Sequence, residues 1–146
     1  MDYSKMAYPK PSKRKKPAKK KKWKNTTSRI HALVRKIVMA RDKHCVICGS
    51  SENLEVSHYL GRAKMGVAFD LDNCHAMCRK CHRLHHDGSP IYMEWMRKEY
   101  GDGIFSDLYL KQQKWIESGG ANEQIKDKIY HSLHEVWANV QEDIDE

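Results

Sequence analysis

The chain has 146 residues, 40% hydrophobic and 32% charged, which is enough apolar material for one folded domain with tails and little more. No apolar run approaches the roughly 18 residues that read as a membrane span. The basic N-terminus has no apolar segment behind its charges, so it does not read as a secretory signal; the expectation is a soluble, cytoplasmic protein with no membrane partner.

The net charge of +8 is unevenly spread. Residues 1–29 carry twelve Lys/Arg against one Asp, residues 30–98 eleven against seven acids, and residues 99–146 four against eleven. Polyanion contact therefore belongs to the first half of the chain. Residues 1–28 are broken by Pro9, Pro11 and Pro17 and have no helical or strand period. Self-repelling lysines bury too little surface to offset chain entropy, so the segment reads as a disordered basic arm. Lys13, Arg14, Lys15, Lys16, Lys19, Lys20, Lys21 and Lys22 are its candidate DNA contacts, because neutralising phosphates releases counterions. A solubilising tail or a localisation signal is the alternative.

Ser28 is positioned to cap a helix running to about Arg41, in which Ile30, Leu33, Val34, Ile37 and Val38 form one apolar stripe. Cys45 to Gly49 reads as a metal knuckle. After a turn at SSEN, Leu54–Leu60 reads as a short strand with Leu54, Val56 and His58 on one face. Residues 61–73 read as an irregular loop, and a second knuckle at Cys78–Cys81 leads into a short helix carrying His82 to His86. Ser89 and Pro90 start the next helix, whose stripe is Tyr92, Trp95, Met96 and Tyr100 and whose stop is Gly101. A helix over Ser106–Glu117 turns Leu108, Gln112, Trp115 and Ile116 inward. Gly119 and Gly120 break it. The last helix, Asn122–Asp143, keeps Ile125, Ile129, Leu133, Val136, Trp137 and Val140 in period, with His131 and His134 as ordinary helix residues.

Cys45-x-x-Cys48 and Cys78-x-x-Cys81 are separated by 29 residues. Two such pairs read as one tetrahedral structural zinc site, each tight turn supplying two thiolates. The gap exceeds that of a simple zinc ribbon, so something is inserted between the knuckles. Cys74 is a spare, and a disulfide framework is the competing reading. Four thiolates close a zinc site to substrate, so any chemistry needs a second constellation. His58, Asn73 and His82 supply candidates, threaded in that order between and just after the knuckles.

This order, with SHYLGR, FDLDNCHAMCRKCH and the helix from Tyr92 to Gly101, resembles the HNH (ββα-metal) nuclease superfamily over about residues 41–110. Within it the chain looks like the lambdoid phage NinG (Rap) recombination endonuclease family, and is similar to the zinc-stapled phage endonuclease VII. The resemblance implies a mainly α fold with a small β-hairpin, in which a zinc-stapled ββα-metal core is flanked by helices. The basic arm and the last helix lie outside the resemblance, and the expected division is a basic arm over 1–28, a zinc-stapled nuclease core over 29–100 and a helical extension over 101–146. The resemblance also implies roles: His58 as general base, Asn73 holding the loop and orienting the His58 ring, and His82 as ligand of a catalytic Mg²⁺ or Mn²⁺. Arg62 would steady the scissile phosphate. Many superfamily members carry a metal-binding aspartate just before the base, where this chain has Ser57. His86, i+4 from His82, is the natural replacement ligand, with Asp70 or Asp72 as oxygen-donating alternatives. His85 reads as an exposed helix end.

The expected activity is metal-dependent DNA hydrolysis in phage recombination or replication, on branched, nicked or Holliday-junction DNA, in the host cytoplasm. Paired incisions at a junction would call for a homodimer. Two alternatives stay open: a site-specific or packaging-associated nicking enzyme, and a non-catalytic zinc-dependent DNA-binding adaptor.

Overall fold

The computed structural model describes residues 25–145. Five helices and one hairpin follow in the order α1 (Thr26–Asp42), β1 (Leu54–His58), β2 (Cys74–Cys78), α2 (Arg79–His86), α3 (Ile91–Tyr100), α4 (Gly103–Glu117) and α5 (Glu123–Asp145). The fold is mainly helical with a two-stranded antiparallel hairpin, as the sequence led one to expect. Among the described residues, no helix is long and apolar enough to cross a membrane. The eight basic arm residues from Lys13 to Lys22 lie outside the described residues.

Helix α1 begins earlier than Ser28. Its cap is Asn25, whose side chain accepts from the Ser28 N–H. That carboxamide satisfies one of the donors that a helix start leaves orphaned. Ile30, Leu33, Val34, Ile37 and Val38 are all buried, so the whole apolar stripe is used. At the other end Asp42 and Arg41 fasten the helix to the hairpin. Asp42 accepts from the Ala76 N–H at 2.8 Å, while Arg41 donates to the carbonyls of Leu71 and Cys74.

The hairpin register pairs Leu54 with Cys78, Val56 with Ala76, Ser57 with His75 and His58 with Cys74. β2 is buried along its whole length because both faces are covered. Side chains of a strand alternate between faces, and here the alternation separates two cores. Val56, Cys74 and Ala76 pack with α1, Ala68, Phe69 and Leu133 of α5. Met77 packs on the other side with Val67, Tyr92 and Met96 of α3, and Ile104 and Leu108 of α4.

The connection from β1 to β2 is more ordered than the irregular loop expected for 61–73. Consecutive turns close from Lys64 N–H to Gly61, Val67 to Lys64, Asp70 to Val67 and Asn73 to Asp70. The last of these is a 3-10 turn at Leu71–Asn73. Because Val67, Ala68 and Phe69 are buried, their backbone groups need such partners. Gly66 lets the loop lie against α4. A Cβ there would sit 2.6 Å from the Trp115 Cβ, and the Gly66 N–H donates to the Gln112 side chain.

Helix α4 starts at Gly103 rather than Ser106, and Ile116 is 57% exposed, not inward. The helical period admits it, but α4 is covered only along the edge where Ile104, Leu108 and Gly66 meet. α5 folds back onto α1, with Leu133 buried. His75 is the unexpected core residue: Nδ1 bonds the Tyr92 hydroxyl at 2.6 Å and Nε2 the Tyr100 hydroxyl at 2.7 Å. It ties α3 to the hairpin, and burial, then the Arg41 charge, holds its pKa down to about 3.

Candidate active site

The two knuckles meet at the Cys78 end of the hairpin. Sγ atoms of Cys45, Cys48, Cys78 and Cys81 all lie within 4.8 Å of one another, and those of Cys48 and Cys78 are 3.6 Å apart. Neighbouring sulfurs around a tetrahedral zinc, with Zn–S near 2.3 Å, are about 3.8 Å apart. The four cysteines are therefore placed to hold a structural zinc, and none is in a disulfide. The Val46 N–H donates to Ala76 O, seating the first knuckle on β2. Burial pushes the Cys45 thiol up, but the N–H groups of Cys48, Cys78 and Ile47 aim at its sulfur and bring it to about 7. Cys74 stands apart. Its thiol donates to Ala68 O at 3.4 Å, and burial pushes it up to about 12.

A second site opens on the α1 face of the hairpin, a cavity of about 520 Å³. β1 contributes His58, the following loop Arg62, α2 His82 and His86, and α1 His31 and Arg35. The helix spacing of four residues brings the His86 and His82 Nε2 atoms to 3.0 Å. Glu55 Oε2 accepts from His82 Nδ1 at 2.8 Å, which leaves Nε2 toward the cavity and fixes the ring by its far nitrogen. His58 Nε2 donates to Ala68 O at 3.0 Å, so in the neutral ring Nδ1 keeps its lone pair. Asn73 is fully buried and clasps the loop: its oxygen accepts from the Leu60 N–H, and its nitrogen donates to the carbonyls of Leu60 and Val67.

A scan against family models matches residues 5–133 to the bacteriophage lambda NinG protein family. The chain belongs to that family. NinG proteins are phage recombination proteins. Comparison with curated proteins and with solved structures returns no match.

In this NinG chain the residues singled out from the sequence divide unevenly. His58, Arg62, His82 and His86 line one cavity. Asn73 holds the loop but makes no hydrogen bond to the His58 ring, whose Nε2 is held by the Ala68 carbonyl instead. Asp70 and Asp72 are not among the lining residues: Asp70 caps the 3-10 turn and pairs with Lys111 of α4 at 2.6 Å. Ser57 cannot stand in for an aspartate ligand either. Strand alternation turns it to the opposite face from His58, where it is fully buried and its Oγ has no hydrogen-bond partner.

His31, Arg35 and Glu55 are the residues that sequence reasoning missed. His31 and Arg35 are one helical turn apart beside the α1 apolar stripe, which was a usable signal. Glu55 gave none, because its pairing with His82 spans 27 residues.

The cavity's electrostatics lower the pKa of two of its imidazoles, His58 and His31. Burial lowers the His58 pKa; the Ala68 carbonyl opposes this, and the charges of Arg62 and His82 add to the lowering. His31 is held at about 4 by burial, then by Arg62 and His58. A neutral His31 accepts, and Arg62 Nε donates to its Nε2 at 3.1 Å. That contact holds one edge of the guanidinium and leaves its terminal nitrogens for another acceptor. The His82 hydrogen bond keeps the Glu55 carboxyl below the usual range, with Arg79 adding to it.

Proposed function

We propose that this protein is a divalent-metal-dependent DNA endonuclease of the HNH (ββα-metal) type. The observation that carries the reading is the single cavity lined by His58, Arg62, His82 and His86. Hydrolysing a phosphodiester requires a base for water, a cation at the departing oxygen and a group on the non-bridging oxygens. The lone pair of His58 Nδ1 takes the water's proton, because the imidazole stays neutral below its ordinary pKa. Arg62, steadied by His31, presents N–H donors to the phosphate.

His82 and His86 are the candidate ligands of the cation. Two nitrogens 3.0 Å apart match neighbouring positions around an ion at about 2.1 Å. Glu55 behind His82 is the outer partner that fixes ligand tautomer and orientation. When bound, the ion supplies charge stabilisation at the phosphate and leaving oxygen. Two imidazoles without a lining carboxylate suit Mn²⁺ better than Mg²⁺, which prefers oxygen donors. Action on branched or junction DNA, and pairing of two copies for it, belong to the same proposal and rest on the family's role in recombination.

The missing third ligand favours one competing reading, a zinc-dependent DNA-binding adaptor with no activity. Nicking of supercoiled plasmid in Mn²⁺, Mg²⁺ or EDTA separates the two. The nuclease reading expects metal-dependent nicking by the wild type and a loss of at least a hundredfold for His58→Ala, with DNA binding kept. Binding without nicking in any divalent ion would make the protein an adaptor.

A further inference from the structure

On the other side of α1 from the active-site cavity lies a groove of about 350 Å³ between α1 and α5. Arg29 and Lys36 line it from α1, and Tyr130, His134 and Trp137 from α5. The Arg29 guanidinium lies 4.4 Å from the centre of the Tyr130 ring, and the Lys36 ammonium 5.9 Å from that of Trp137. Each pair is seven residues from the other on both helices, so two cation–aromatic units repeat at about 10 Å along the groove. Tyr130 and Trp137 are only partly buried, so part of each ring meets solvent.

The groove and the active-site cavity share a wall. Ala32 lines both, with His31 and Arg35 on one side and Arg29 and Lys36 on the other. Ala32 is a small residue between the cations Arg29, Arg35 and Lys36, and the sole acid of α1, Asp42, sits at the helix end and is tied to Arg41.

We propose that this groove takes an unpaired stretch of the DNA strand held in the active-site cavity. This rests on the nuclease reading above and names the substrate class: DNA with a single-stranded segment beside the cleavable bond. Charge selects a polyanion, because every charged side chain named in the groove is a cation. Flat groups select an unpaired base, because a base can stack on the Arg29 guanidinium that covers Tyr130, or beside Trp137, only when its own π-face is not covered by duplex neighbours. Cation–π contacts from Arg29 and Lys36 then hold the ring as well as the phosphate.

The test measures binding of full-length protein in EDTA, so that no cleavage enters. The probes are a single-stranded oligothymidylate and a blunt duplex of equal length at fixed salt. Trp137→Leu keeps apolar packing but removes the stacking face, and Lys36→Gln is exposed and leaves the core untouched. Trp137→Leu is expected to weaken oligothymidylate binding about tenfold and Lys36→Gln to weaken it severalfold through one lost phosphate contact, each changing duplex binding less than twofold. Equal losses on both probes, or no loss for Lys36→Gln, would overturn the proposal. If Trp137→Leu melts early, Lys36→Gln alone decides. A wild-type dimer that either variant dissociates in sedimentation would assign the groove to a second copy of the chain, also overturning it. Nicking of supercoiled plasmid by the wild type in Mn²⁺ reads the nuclease proposal by itself, so loss of this site and failure of the nuclease reading give different results.

Discussion

Asn73 offers the sharpest check on how the fold builds the site. Replacing it by alanine removes three hydrogen bonds, of 2.8, 3.0 and 3.1 Å, from a fully buried side chain. At about 1 kcal/mol net each, the loss is about 3 kcal/mol. For a domain of this size about 1 kcal/mol moves the midpoint by roughly 4 °C, so zinc-loaded Asn73→Ala should melt about 12 °C lower by circular dichroism. Asn73→Asp keeps the shape but loses both donations and points a carboxylate at two carbonyls, and should cost at least as much. The same clasp positions Ala68, whose carbonyl orients His58. Displacing a catalytic group by about 1 Å costs about a hundredfold, so nicking by Asn73→Ala should fall by that order at a temperature where it is folded. A melting point within about 2 °C of wild type would refute the clasp. Normal nicking by a destabilised but folded variant would refute the link from the loop to His58.

Three further outcomes follow from the same geometry. Stripping zinc with a strong chelator should abolish the cooperative helical melt, because structural zinc contributes about 10–16 kcal/mol against a typical domain stability of about 5–15 kcal/mol; an unchanged melt would remove zinc from the fold. The acid limb of the nicking rate should have its midpoint below 6.5, because burial and nearby cations lower the His58 pKa. Arg62→Gln should move that midpoint upward, and a wild-type midpoint at or above 6.5 would contradict the assignment. His75 should make the fold acid-sensitive. Its folded pKa of about 3 lies below the unfolded value of 6.5, so the unfolded chain binds more protons between these limits. Its contribution is fully present above pH 6.5 and is lost as pH falls toward 3, by about 1.4 kcal/mol per unit at most. Urea midpoints of wild type and His75→Phe should converge as the buffer is acidified, and parallel curves would exclude His75 as the cause.

Local chemistry carries much of this protein in its sequence. The α1 stripe, both cysteine knuckles, the proline start of α3 and the glycine break before α5 are contacts or torsions within a few residues, so spacing alone reports them. The i, i+4 pair of His82 and His86 was legible for the same reason. Long-range pairings were not. That Glu55 fixes His82, that His31 on the first helix steadies Arg62, and that Ala68 rather than Asn73 orients His58 depend on which elements meet. Those meetings are set by the closing of two cores on opposite faces of the hairpin. The same closure decided that Ser57 turns away from the cavity and that Ile116 stays in solvent. Periodicity names the face of an element that is apolar, but only packing decides what, if anything, covers it.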